Sequence, residues 1–258
     1  SILYITLGCA KNEVDTDRMR ALLNGAGYDE VFSAEDADAV IINTCSFLAS
    51  ATSESIETTL TLAEEISEGV RGTRIVMCGC VPSRYGSELP EVAAFVRTDE
   101  EDGIVSVMDE VLGIERVDPP FIPSVKRTVE SAVAYVKISD GCDRYCSFCA
   151  IPYIRGRYHS RSAESILSEV RDLVAGGVRE IVLIGQDTGI WGTDFKGEVD
   201  GPTNLAQLMI AVAEVVRPEH VWIRVLYLQP EGMTDELIAA IRDTPEVLPY
   251  IDIPVQHC

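Results

Sequence analysis

The stretch Ala132-Val-Ala-Tyr-Val-Lys-Ile-Ser-Asp-Gly-Cys142-Asp-Arg-Tyr-Cys146-Ser-Phe-Cys149-Ala150 decides how this chain is read. Its first half, Ala132–Ile138, is an apolar run of strand length, and its second half is a CxxxCxxC. Three thiols packed this closely after a strand can grip one face of an iron–sulfur cluster, and three local ligands leave one iron open. Zinc is the alternative. It usually takes four ligands, and His159 is the available fourth. A disulfide set suits the motif less well still, because three cysteines cannot pair off.

Downstream of this stretch the pattern alternates. Ala163–Ala175 has helical spacing, Glu180–Ile184 reads as a strand and Asn204–Val216 as a helix. Val221–Leu228 reads as a strand, Thr234–Arg242 as a helix and Tyr250–Val255 as a strand. Such a run of βα units suits a barrel or half-barrel. Upstream, residues 116–130 hold three prolines and little periodicity, which marks a linker. Residues 1–115 alternate again: strands at Ile2–Leu7, Ala39–Asn43, Arg74–Met77 and Ala93–Val96, with helices at Val14–Ala26, Glu54–Ser67 and Gly103–Leu112. Continuous apolar strands between amphipathic helices predict a parallel sheet covered on both faces. The expected class is therefore α/β, with domains at 1–115 and 131–258.

Three further cysteines are dispersed. Cys9, Cys45 and Cys80 each follow the carboxyl end of a predicted strand, beside Gly, Thr or Gly. In an open parallel sheet those ends line one crevice, where ligands bind. The three therefore either share a site or are separately buried, since free cysteine behaves as a small hydrophobe. Cys78, at a strand end, and Cys258, the last residue, read as structural.

Composition bounds the function. The 258 residues are 47% hydrophobic and 24% charged, which is globular, and no apolar run approaches the ~18–20 residues of a membrane span. The start, Ser1–Leu7, is apolar without a basic flank and reads as a first strand rather than a signal peptide. Acids outnumber bases by 42 to 21, a net charge of −21. Phosphate binding needs clustered Lys and Arg, so nucleic acid is not the default partner; the acidic surface suits a basic partner or merely keeps the protein soluble. Eight cysteines without a secretion signal point to metal or catalysis rather than disulfides.

With both cysteine sets in view, the sequence resembles a known family. CxxxCxFC after a strand resembles the radical S-adenosylmethionine (radical SAM) signature. Cys9 in Leu-Gly-Cys-Ala-Lys-Asn, Cys45 in Asn-Thr-Cys and Cys80 in Gly-Cys resemble the amino-terminal domain of methylthiotransferases. The resemblance covers essentially the whole chain. LGCAKNEVD (7–15), KISDGCDRYCSFCAIPYIRGRYHSR (137–161), IGQDTGIWG (184–192), WIRVLYLQP (222–230) and LPYIDIPVQH (248–257) are most similar to the branch that modifies an aspartate of a small-subunit ribosomal protein. The branch acting on tRNA adenosine (the MiaB type) shares the cysteine layout and is the alternative. It tends to read Gly-Cys-Gln-Met-Asn where this chain has Gly-Cys-Ala-Lys-Asn. Family members carry six βα units and then a TRAM domain, so the expectation is a fragment with a truncated barrel.

The resemblance implies a flavodoxin- or Rossmann-like amino-terminal domain followed by a partial radical SAM (βα) half-barrel. It implies that Cys142, Cys146 and Cys149 hold a 4Fe–4S cluster whose open iron chelates S-adenosylmethionine. One electron then cleaves the sulfonium to a 5′-deoxyadenosyl radical. Cys9, Cys45 and Cys80 would hold a second 4Fe–4S cluster that carries the sulfur to be transferred. A first S-adenosylmethionine would methylate that sulfur, and a second would supply the radical that attacks the aspartate β-carbon. An unactivated C–H bond has no acidic proton, so an acid–base site is not required. Phe148 would pack near the adenine or merely in a core. Gln186 would contact the methionine amino group or sit in a plain loop. Arg224, a charge in an apolar strand, needs a partner, either the cofactor carboxylate or an internal acid. Arg144, Arg155, Arg157 and Arg161 form a basic island that either anchors an anion or is solvated and scattered into ion pairs. The implied setting is the cytoplasm, without membrane, with a flavodoxin or ferredoxin as electron donor. Charge favours the ribosomal protein over tRNA: residues 1–130 carry 10 bases and 24 acids, and residues 131–258 carry 11 and 18.

Overall fold

The computed structural model describes residues 1–69, 72–86, 88–116, 126–198 and 200–254. Most of the expected linker (117–125), together with Val255, His257 and Cys258, lies outside the described residues. The chain separates into two compact units, Ser1–Val125 with Ser147–Arg155, and Lys126–Cys146 with Gly156–Cys258. Ser147–Arg155, which the sequence reading placed in the 131–258 domain, is thus grouped with the first unit.

The first unit is a doubly wound sheet. Its parallel strands β1 (Ile2–Thr6), β2 (Ala39–Thr44), β3 (Arg74–Gly79) and β4 (Ala94–Arg97) lie in the order β1-β2-β3-β4. The helices are α1 (Ala10–Gly25), α2 (Ala49–Glu68), α3 (Cys80–Tyr85) and α4 (Ile104–Leu112), and the Ser147–Arg155 segment adds α5 (Ile151–Ile154). One isolated parallel bridge joins Ile2 to Glu30 on the outer side of β1. Counting that residue as a vestigial strand gives the flavodoxin-like order 2-1-3-4-5, whose switch point falls between β1 and β2. All six residues of β2 are buried, as a central strand covered on both faces must be. On one face Ile41, Val76 and Cys78 pack against Met19 and Leu23 of α1 and Ile104 and Met108 of α4. On the other, Ile42, Ile75 and Met77 pack with Leu62 of α2 and Val81 of α3. Each such burial contributes about 1.5–3 kcal/mol.

The second unit has a parallel sheet of β5 (Val133–Lys137), β8 (Glu180–Ile184) and β9 (Trp222–Val225), and an antiparallel two-residue ribbon of β6 (Ser139–Asp140) with β7 (His159–Ser160). Helices α6 (Ala163–Ala175), α7 (Leu205–Val216) and α8 (Asp235–Asp243) contribute to one core. Each begins at a side-chain cap, Ser162, Asn204 or Thr234, whose oxygen accepts a backbone N–H three residues on. Trp191 is fully buried, and its indole N–H donates to the Arg161 carbonyl at 3.1 Å.

Two expectations in this unit need correction. Val221–Leu228 narrows to Trp222–Val225, and Tyr227 takes a positive φ of 63° that ends extended backbone. Of the strand expected at Tyr250–Val255, the described residues 250–254 are not a strand. The only pairing across β9 on that side, among the described residues, is a bridge between Ile223 and Val247. Pro249 and Pro254 supply no N–H for a ladder. Asp252 instead uses its carboxylate to accept from Tyr227 N and its carbonyl to accept from Leu228 N.

Candidate functional site

The register of the first sheet brings its cysteines together. Thr6 pairs with Asn43, and Thr44 with Gly79. Continuing the register, Gly8 runs beside Cys45, two steps beyond the last β1–β2 pair, and Cys45 beside Cys80, one step beyond the last β2–β3 pair. Cys9 caps the N-terminus of α1, and Cys80 is the first residue of α3. Gly8, at φ 98°, makes this approach possible. A Cβ there would lie 2.4 Å from Cys45 Cβ and 2.9 Å from Cys45 Sγ.

Asn12, three residues past Cys9 and fully buried, sits at the centre. Its amide nitrogen donates to the carbonyls of Leu7 (2.9 Å) and Thr44 (2.8 Å), tying the ends of β1 and β2 together. Its amide oxygen faces Cys9 Sγ at 3.7 Å and Cys80 Sγ at 4.0 Å. It also accepts from the Arg155 guanidinium at 2.9 Å. The other arm of that guanidinium pairs with Asp15 at 2.7 Å, and both side chains are only 2% exposed. Cys45 is clamped by Ser55, whose hydroxyl accepts from Cys45 N and donates to Cys45 O. Burial pushes the Cys80 thiol up to about 11, with the nearby Arg155 acting in the opposite direction. Cys78 is fully buried within the core beneath α1 and α4, and burial raises its thiol well above the usual range.

The CxxxCxxC loop is placed differently. Cys142 and Cys146 fall in the second unit and Cys149 in the first. None of the three is in a disulfide; Cys146 is exposed and the others are partly buried. Phe148 is 74% exposed, so the core-packing alternative for it is not realised. Past β8, the Gln186 amide nitrogen donates to Asp140 at 2.8 Å. Gln186 Oε1 and Asp187 Oδ1 are buried acceptors with no donor among the described residues. Arg224 donates to Glu180 at 2.6 Å and lies over the Tyr250 ring at 4.8 Å, so its partner here is an internal acid.

Each arginine of the basic island has an acid for a partner. Arg144 pairs with Asp187 and Glu231, Arg157 with Asp143, Arg161 with Glu169, and Arg155 with Asp15. The reading as scattered ion pairs is the one realised, with the exception that Arg155 is buried rather than solvated. Asn12, Asp15 and Ser55 are not singled out by the sequence reading, and Arg155 is singled out only as part of the basic island. Asn12 could have been suspected from its place in Gly-Cys-Ala-Lys-Asn; Arg155 lay in the island but nothing local joined it to Asp15.

Residues 1–98 match the uncharacterized protein family UPF0004, and residues 136–258 match the radical SAM superfamily. The chain is 42% identical to the ribosomal protein uS12 methylthiotransferase RimO of Synechococcus sp. (strain RCC307), over 100% of this chain and 53% of that protein. It is 43% identical to RimO of Microcystis aeruginosa (strain NIES-843 / IAM M-2473), over 97% of this chain and 57% of that protein. The chain thus joins a UPF0004 region to a radical SAM region and is similar to RimO proteins along its whole length. It spans just over half the length of the curated relatives it matches. The fold is shared with the radical SAM methyltransferase TsrM from Kitasatospora setae, a structure with cobalamin and a [4Fe-4S] cluster bound, at a TM-score of 0.62 and 14% identity. That match covers 93% of this chain and 58% of the other. The cobalamin-dependent radical enzyme OxsB matches at a TM-score of 0.53 and 13% identity, over 93% of this chain and 41% of the other.

The radical SAM match implies a 4Fe–4S cluster and S-adenosylmethionine. The residues fit such groups. Among the described residues, no three His, Cys, Asp or Glu side chains converge on a single metal ion. One ion draws every ligand to about 2.0–2.3 Å, whereas a cluster spreads its thiolates over several irons. Cys9 and Cys80 face the Asn12 amide oxygen, and Gly8 leaves room beside Cys45, so the three thiols fit a cluster on the chemistry of the donor set. The two orphaned acceptors at Gln186 and Asp187 suit an ammonium donor such as that of S-adenosylmethionine.

Proposed function

We propose that the chain is the catalytic part of a methylthiotransferase that adds a methylthio group to the β-carbon of an aspartate in a small-subunit ribosomal protein. The observation that carries this reading is the convergence of Cys9, Cys45 and Cys80 at the sheet's switch point, in a chain that also bears the CxxxCxxC of Cys142, Cys146 and Cys149. Each trio would hold one 4Fe–4S cluster with an open iron. When bound, the two clusters supply the electron that opens S-adenosylmethionine and the site that presents sulfur.

The chain's own residues orient and enclose. Gln186 Oε1 and Asp187 Oδ1 would accept from the amino group of S-adenosylmethionine, which answers their lack of donors. Phe148, already exposed, is free to cover the adenine. Arg224, engaged by Glu180, holds the sheet rather than the cofactor carboxylate. The excess of 42 acids over 21 bases suits a basic ribosomal protein and disfavours a tRNA backbone. The protein named in the similar RimO proteins, uS12, is the substrate we assign, with a flavodoxin or ferredoxin as electron donor in the cytoplasm. Among the described residues no helix is long and apolar enough to cross a membrane.

The test uses the full-length protein, reconstituted anaerobically with iron and sulfide and offered both substrates. About eight irons, from two clusters of the 4Fe–4S type, and a methylthio mass gain on the ribosomal protein are expected. A gain on tRNA alone would overturn the substrate assignment. A cobalamin spectrum, or zinc in a colourless protein, would overturn the two-cluster reading.

A further inference from the structure

The buried pair of Arg155 and Asp15 is not explained by stability. Burying two charges costs more than their attraction commonly returns, so such a pair is weak evidence of a stabilising role. Its geometry points elsewhere. The Asn12 amide cannot flip, because its nitrogen is held by two carbonyls, Leu7 O and Thr44 O. Its oxygen is therefore forced to face Cys9 and Cys80. That arrangement accepts from protonated thiols but opposes thiolates, because an amide oxygen and a thiolate sulfur are both electron-rich. A cation on the same oxygen offsets the conflict, and the Arg155 guanidinium is that cation, 2.9 Å away. Only a planar fork reaches Asn12 with one arm and Asp15 with the other. Residue 154 is itself anchored, its carbonyl accepting from Thr98 Oγ1 at 2.9 Å, so the fork is delivered from a fixed backbone.

We propose that Arg155 is a positioning residue for the Cys9–Cys45–Cys80 site: braced by Asp15, it fixes the Asn12 amide between two of the thiols and supplies the positive charge against which thiolates can hold a cluster. This rests on the reading of that trio as cluster ligands. Groups behind metal ligands set both retention and potential. A nearby cation favours the more negative, reduced state, so its loss lowers the reduction potential.

The test is made in the full-length protein with Cys142, Cys146 and Cys149 all changed to Ala, so that only the dispersed trio can hold iron. Arg155→Met is paired with Asp15→Asn to avoid leaving a buried carboxylate unpaired, and folding is checked by circular dichroism. Relative to the triple-alanine parent, the double variant is expected to release iron to a chelator roughly 10-fold faster or more. Its cluster potential, followed by electron paramagnetic resonance, is expected to fall. Arg155→Lys keeps the charge and is expected to hold the potential near the parent value while still losing iron faster. A folded double variant with unchanged potential and release rate overturns the proposal and leaves the trio reading intact. A folded parent that takes up no iron at all overturns the trio reading and the proposal with it.

Discussion

The two cysteine trios solve the same problem in opposite ways. Cys142, Cys146 and Cys149 are neighbours in the chain, and their loop leaves Cys146 and Phe148 exposed. Cys9, Cys45 and Cys80 are far apart in sequence and are brought together by sheet register, a glycine and a buried amide. Proximity along the chain needs no scaffold, because few residues must be ordered to bring the ligands near. Proximity across a sheet is produced by the fold, and so depends on residues that bind nothing. The dispersed site is therefore the one whose supporting side chains can be damaged without touching a thiol.

Gly8→Ala breaks that comparison most directly. The new Cβ would sit 2.4 Å from Cys45 Cβ at a φ of 98°. The conformation alone costs roughly 1–2 kcal/mol, and displacing a clamped Cys45 adds overpacking strain of about 1–3 kcal/mol. The expected result is a loss of about 3 kcal/mol in urea unfolding of the apoprotein, together with about half of the reconstituted iron. Ser147→Ala, between Cys146 and Cys149 on the exposed loop, should move neither. If Gly8→Ala keeps full stability and full iron, the dispersed trio is not held by the packing described here.

The same contrast explains what the sequence could and could not tell. The four strands of the first sheet were legible to within about two residues, and with them the placement of Cys9, Cys45 and Cys80 beyond strand ends, since apolar runs followed by Gly-Cys or Thr-Cys are local patterns. α6 and β8 were read at their observed limits, because their apolar spacing is regular and α6 starts at a Ser cap. α3 was missed because six residues containing a proline carry no helical period. The apolar run at Tyr250–Val255 reads as a strand, but Pro249 and Pro254 supply no N–H for a ladder. Arg155 with Asp15 is a contact over 140 positions, and no window of sequence reports on such a pair.

Proton linkage sharpens the comparison with a smaller effect. Burial holds the Cys80 thiol protonated to about 11, against 9.0 in an unconstrained chain. Between these values the unfolded chain has released a proton that the folded one keeps. Stability from this group is therefore complete below pH 9 and is lost as the pH rises towards 11, by at most about 2–3 kcal/mol. Cys78 acts in the same direction. Urea unfolding of the apoprotein at pH 8 and pH 11 should show the loss, and Cys80→Ala should make it shallower. An equal loss in Cys80→Ala would mean that Cys80 is not the group held protonated by the fold.

The smallest effect asks whether the second unit holds its expected cofactor residues as the first holds its thiols. Arg224 and Glu180 are 28% and 18% exposed, so their ion pair is partly screened and contributes about 0–1 kcal/mol. Stacking over Tyr250 adds about 0.5–1 kcal/mol. Arg224→Met, which keeps much of the apolar contact, should therefore cost about 1 kcal/mol in unfolding. It should leave the Kd for S-adenosylmethionine, measured by calorimetry on the reconstituted full-length protein, within about twofold, because the guanidinium already has its acid. Gln186→Leu removes one of the two orphaned acceptors and should weaken the same Kd by roughly 10-fold, the worth of one hydrogen bond to a charged group. If Arg224→Met weakened binding as much as Gln186→Leu, Arg224 would be exchanging Glu180 for the cofactor carboxylate on binding. The second unit would then rearrange around its ligand, where the first has its side chains in place beforehand.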